Sequence, residues 1–317
     1  MLPGRCRRAR PPKPRTRESA LTSAQLQTSP NSPPTQYQSA FEFIRALAAE
    51  LSGGKVDLPS FPEVAVRVRR ILSDPKSTVE QVVRVVGSEP ALAARLLRIA
   101  NSASLNRSGR PVTDLRAAIS RIGYNMVRSA SISFAMAQIR NSNKLAGLEH
   151  YLQDVWQCST RVAAFAFVLA RTGSRVNPDE AMLTGMMHGI GKLYVFTRAA
   201  SHPELFANPQ MLEEILAQWH PSIGKAILEN WEFPEAMAQA VGEQDDLDRR
   251  EPEQADLSDV VALAVLMTRH GEDRAALAAD LDGLPAAARL GLSEQRMTSV
   301  LEDSATEISA LSEALGS

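Results

Sequence analysis

Residues 183–193 run Leu183-Thr184-Gly185-Met186-Met187-His188-Gly189-Ile190-Gly191-Lys192-Leu193, a single histidine at the end of an apolar run with glycines one and three places after it. Just upstream, Asn177-Pro178 supplies a capping side chain and a proline at the first helical position. Met182, Leu183, Met186 and Met187 then recur at intervals of three and four, so the spacing predicts a helix that delivers His188 from a core.

The neighbouring segments repeat the same period. Phe41, Ile44, Ala48 and Leu51 share one helical face, ended by Gly53-Gly54. Segment 61–72 alternates at Val64, Val66 and Val68 as a strand would, yet Val64, Val68 and Ile71 fit a helix opened by Pro62, and Arg69-Arg70 favours the helix. Ser77 and Glu80 have the spacing of a capping box before Val82, Val83 and Val86. Ser88 is expected to cap the next helix, with Pro90 in its first turn, Leu92, Leu96 and Ile99 inward, and Asn101-Ser102 at its end. Asp114 is expected to cap a segment whose period Gly123 interrupts, and a further helix runs from about Leu152 to Gly173. Trp219, Ile223, Ile227 and Trp231 mark another, closed by Pro234, and Val260–Met267 one more. After a loop-like Asp282-Gly283-Leu284-Pro285, a polar helix follows Ser293; it is expected to pack back on the domain, with self-association into a homo-oligomer as the second reading. With no convincing alternating strand and no Gly-rich phosphate loop, the fold class is all-α, and dinucleotide or P-loop chemistry is set aside.

Composition narrows the partners. The 317 residues carry 35 Lys+Arg against 36 Asp+Glu, a net −1, with 44% hydrophobic and 22% charged residues, which is ordinary globular usage. The neutral total hides an uneven distribution. Arg5, Arg7, Arg8, Arg10, Lys13, Arg15 and Arg17 face Glu18 alone within residues 1–36, a net +6 that leaves −7 on the rest. This proline-rich basic arm has too few apolar residues to order itself, and nucleic-acid binding, if any, is confined to it. Cys6 and Cys158 are not expected to pair, which fits a reducing cytoplasm. The longest apolar run, around Val162–Ala170, is too short to span a membrane, and no apolar signal-peptide region follows the basic start.

Taken in order, several blocks resemble the HDOD domain, the HD-related output domain of bacterial signalling proteins. They are Leu58-Pro59-Ser60-Phe61-Pro62; Ser88-Glu89-Pro90-Ala91-Leu92 through Ile99-Ala100-Asn101-Ser102-Ala103; Ala118-Ile119 with Ile122-Gly123; Trp156 with Ser159; the His188 stretch; Trp219-His220-Pro221 with Ile223-Gly224; and Trp231 with Pro234. The resemblance covers roughly two thirds of the chain. It implies an HD-type helical bundle over 55–250, preceded by the arm (1–36) and a leading helix (37–54) and followed by a C-terminal helical extension (251–317).

HD phosphohydrolases hold divalent metal with a first histidine, a His-Asp doublet and a later aspartate, because hard cations need imidazole and carboxylate together to activate water. By that resemblance Cys158 stands at the first position, Gly189 replaces the doublet aspartate after His188, and Val265 stands at the last. His220 matches a further histidine of multi-histidine relatives, but Glu243-Gln244 occupies the place of their His-His pair. The implied reading is a pseudoenzyme without metal or other cofactor, acting through contact with regulatory or signalling proteins. The rival is a divergent metal-dependent phosphohydrolase acting on a nucleotide or cyclic dinucleotide. Zinc at Cys158, His188 and His220 lacks any close-spaced ligand pair to support it. Apart from the family, His188 reads as a hydrogen-bonded core histidine and Cys158 as a small core hydrophobe. His150, His202 and His270 are expected at the surface, Trp156, Trp219 and Trp231 in the core, and Arg95, Arg98, Arg121 and Arg128 on a solvated helix face.

Overall fold

The computed structural model describes residues 34–53, 63–74, 76–102, 110–140, 147–231, 233–251, 253–271 and 273–316. Most of the basic arm, Cys6, the Leu58–Pro62 block and Ala103 lie outside the described residues. Among the described residues all regular structure is helical. The elements are α1 (Pro34–Ser52), α2 (Glu63–Ser73), α3 (Val79–Gly87), α4 (Pro90–Ala100), α5 (Leu115–Arg140), α6 (Glu149–Gly173), α7 (Pro178–Met187), α8 (Ile190–Ala199), α9 (Pro203–Phe206), α10 (Pro209–Asn230), α11 (Glu235–Gly242), α12 (Leu257–His270), α13 (Arg274–Leu281), α14 (Pro285–Arg289) and α15 (Glu294–Gly316).

The chain is organised around α6. Its Val162–Ala166 segment is buried on every side, the signature of a helix enclosed by others. α7, α12 and α15 pack on it, while α2, α3 and α4 pack on α5, which also touches α7. α8, α10 and α11 continue from α7 to α12. Two glycines of the 183–193 stretch allow these close crossings. A Cβ at Gly185 would meet Ala163 Cα of α6 at 2.9 Å, and one at Gly191 would fall 1.9 Å from the His220 carbonyl oxygen of α10. Gly123, at φ +76°, breaks the helical path inside α5, as its interruption of the period predicts.

α15 lies against α6, with Met297, Ser304 and Leu311 buried and Arg171 paired with Glu307. The start of α12 is tied down by a capping box between Asp256 and Asp259. Arg249 and Arg289 both reach the buried Asp259, which joins this cap to α14.

Several local expectations need correcting. The capping box of α3 is Thr78 with Gln81, one residue beyond Ser77 and Glu80. Ser88 closes α3, donating to the Val85 carbonyl, and Glu89 precedes α4 without a side-chain cap. α10 begins at Pro209, ten residues before Trp219, because Asn208 caps it there. Pro285 opens α14 rather than closing a loop. Trp156 and Trp231 are buried, but Trp219 is only half-buried. Arg95 is no surface cation: it is 3% exposed, donates to Ser133 Oγ at 2.8 Å and stacks over Trp156. Arg121 and Arg128 are half-buried and donate to backbone carbonyls; Arg98 alone of the four is exposed.

Candidate functional site

His188 forms the C-terminal cap of α7 and is 1% exposed. Its Nδ1 lies 2.7 Å from the Gly185 carbonyl oxygen. A carbonyl only accepts, so Nδ1 carries the proton and donates, which leaves Nε2 as an acceptor. Nε2 stands 3.8 Å from Cys158 Sγ on α6. The buried Gln244 donates its amide to the His188 carbonyl at 3.0 Å, holding the peptide as well as the ring. Both Cys158 and His188 line a cavity of about 230 Å³. Its walls are mostly apolar, with Tyr151, Phe196, Leu212 and Val265 among them, and four charged side chains, Asp154, Lys192, Glu213 and Arg269, enter it from α6, α8, α10 and α12.

Cys158, His188 and Val265, the residues that the family resemblance singles out, therefore meet at one cavity. Gly189 lies behind it, with its backbone against α6. A Cβ there would come 2.8 Å from Ser159 Oγ and 3.1 Å from Val155 Cγ1, so an added side chain requires those two side chains to move. His220 is buried in α10 and outside the cavity lining. Its Nε2 faces Asp245 Oδ2 at 3.5 Å, and Asp245 is ion-paired with Arg269, which does reach the cavity. Desolvation opposes ionisation of Asp245, yet the His220 contact and the Arg269 charge hold its carboxyl far below the usual range. His150 is exposed, while His202 and His270 are half-buried beside Glu204 and Asp280.

A hard divalent cation needs carboxylates beside the imidazole. Among the described residues no group of three or more His, Cys, Asp and Glu side chains is placed to share an ion. Asp245 is turned to Arg269 and His220, and position 189, a glycine, offers no carboxylate. The residues present do not fit such a metal.

Sequence reasoning missed Asp154, Lys192, Glu213 and Arg269 as members of the site. Asp154 and Cys158 are four apart on one helix face, a signal that could have been used. The other three reach the site only through helix packing.

The family profile described as the HDOD domain matches residues 58–247, well over half of the chain. A solved structure of a candidate metal-dependent phosphohydrolase from Shewanella amazonensis is 28% identical, covers 88% of this chain and 98% of its own, and superposes with a TM-score of 0.69. An HDOD domain protein of unknown function from Geobacter sulfurreducens is 23% identical, covers 89% and 98%, and gives 0.62. A protein from Treponema pallidum (strain Nichols), described as uncharacterized, is 24% identical over 236 residues, which are 70% of this chain but 44% of that relative's length.

Proposed function

The chain belongs to the HDOD domain family, and on that footing we propose that it is a non-enzymatic signalling module that passes a regulatory signal by contact with other proteins. The observation that carries it is the donor set at the cavity. The imidazole meets a thiol where the wider superfamily has its first histidine, and Gly189 and Val265 stand where it has aspartates. Losing both carboxylates removes the charge neutralisation on which metal-assisted hydrolysis depends. Deep burial of Arg95 against Trp156 shows why a side chain resembling a docking cation in the sequence belongs to the core instead, so the docking face is to be sought among the other exposed residues.

The test is metal analysis of protein purified without a tag, an activity screen on nucleotides and cyclic dinucleotides with Mn²⁺ and Mg²⁺, and partner capture from extract with residues 37–317. Less than stoichiometric metal, no turnover and a specific partner are expected. Stoichiometric metal with turnover lost in His188→Ala would establish the phosphohydrolase reading instead. Nucleic-acid binding by the basic arm would show a steep salt dependence that disappears on deleting residues 1–36; no such dependence is expected, and finding it would assign the arm that role. No helix among the described residues is long and apolar enough to cross a membrane.

A further inference from the structure

The Cys158–His188 contact has a chemistry of its own, independent of the signalling reading. A nucleophile site is recognised by a nucleophile and a base within hydrogen-bond reach, the base in turn oriented by a third group. All three parts are present. Sγ faces Nε2 at 3.8 Å, the Nδ1–H is held by the Gly185 carbonyl at 2.7 Å, and that carbonyl fixes the tautomer that leaves Nε2 free to accept the thiol proton. The pair is also reachable, because Cys158 and His188 both line the 230 Å³ cavity. A buried structural cysteine packed among aliphatic side chains would have neither the base nor the opening.

We propose that Cys158 and His188 form a reactive thiol–imidazole pair, a covalent modification site for small α,β-unsaturated carbonyl compounds. The electrophile class follows from the cavity. Its apolar walls suit a carbon skeleton, and Lys192 and Arg269 at its edge supply positive charge near which a carbonyl oxygen can accumulate electron density. In the reaction His188 Nε2 takes the Sγ proton as the sulfur electron pair forms a C–S bond to the β-carbon. The alkene π pair moves toward the carbonyl, and the proton held on His188 then passes to the α-carbon. Nothing leaves and nothing is oxidised.

The charged groups facing the thiol act in both directions. Lys192 and Arg269 favour a thiolate, Asp154 and Glu213 oppose it, and Arg269 is itself paired with Asp245. Desolvation pushes the Asp154 carboxyl above its usual range, with His150 opposing and Cys158 adding to the rise.

The probe is N-ethylmaleimide, used on the full chain carrying Cys6→Ser so that Cys158 is the single thiol, with the adduct located by peptide mass mapping. Rates are measured from pH 6 to 9. An ordinary thiol gives a rate that climbs tenfold per pH unit up to about pH 8.5. The pair predicts a distinctly shallower rise over that range. His188→Asn retains an N–H donor for the Gly185 carbonyl but has no Nε2; it is expected to restore the tenfold slope and to slow addition at pH 6.5 by about tenfold or more. A tenfold slope in the parent overturns the proposal. So does a protected Cys158, or an unchanged rate in His188→Asn that keeps its helical circular dichroism. Should His188→Asn fail to fold, the slope of the parent decides alone.

Discussion

Adding one methyl group at position 189 tests the reading of the site at its narrowest point. Gly189 has φ −86° and ψ 0°, a conformation open to alanine, so Gly189→Ala carries no left-handed backbone penalty. The obstacle is space. The new Cβ would stand 2.8 Å from Ser159 Oγ and 3.1 Å from Val155 Cγ1, whereas ordinary contact begins near 3.4 Å. Ser159 is 0% exposed and Val155 7%, and both belong to α6, the helix that is enclosed by its neighbours. A retreat of about 0.6 Å there must be shared by packed side chains, and overpacking of that kind costs about 1–3 kcal/mol. Replacing glycine restricts the unfolded chain and returns about 0.5 kcal/mol. Gly189→Ala should therefore destabilise by about 1–2 kcal/mol in urea unfolding followed by circular dichroism. Ser159 Oγ is buried without a hydrogen-bond partner among the described residues, so Ser159→Ala should be close to neutral and should recover about half or more of the loss when combined with Gly189→Ala. A neutral or stabilising Gly189→Ala would refute the claim that position 189 is tightly packed against α6. So would a cost indifferent to Ser159.

Gly189→Asp adds a desolvated carboxylate to the same clash and should cost about 3 kcal/mol or more without creating a stoichiometric Mn²⁺ site, as read by urea unfolding and metal analysis. Gly191→Ala forces α8 from the His220 carbonyl, a backbone obstacle that cannot rotate away; a loss of about 3 kcal/mol or failure to fold is expected in the same unfolding assay. Arg95→Ala removes a buried bond to Ser133 and the stacking on Trp156 and should cost about 2–4 kcal/mol, against near-neutral Arg98→Ala on the exposed face. Asp245 and Asp256 both have carboxyl groups held below their usual range. Their folded values lie under the unfolded value of about 3.9, so they stabilise the fold above that pH and the contribution is lost as pH falls through and below it. Unfolding curves from pH 7 to 2 should show that acid loss, and Asp245→Asn should make it shallower; a steeper acid limb would contradict the assignment.

The helical period was legible wherever a helix buries one face, as at Leu92, Leu96 and Ile99 or at Met182, Met186 and Met187, all buried as expected. It was least informative at helix ends, where one hydrogen bond shifts a cap by a residue, as from Ser77 to Thr78. Polar side chains on helices misled for a different reason. Arg95 follows the polar spacing of α4, yet α5 and α6 close over it with Ser133 and Trp156 as its neighbours, and no local pattern records what a neighbouring helix brings.

The order of motifs from Ser88 to Pro234 was sufficient for the all-α class and the family, because those blocks are contiguous runs whose glycines, prolines and apolar periods act locally. The identities Cys158, Gly189 and Val265 were likewise legible, since a missing imidazole or carboxylate is a fact of sequence. Tertiary structure alone decided that Cys158 and His188, thirty residues apart, touch in the lining of one cavity, that His220 turns to Asp245 instead, and that Gly189 packs against Ser159. The physical reason is that a helix specifies which residues share its own face through backbone hydrogen bonds, whereas which faces meet depends on the packing of all the helices around α6 at once.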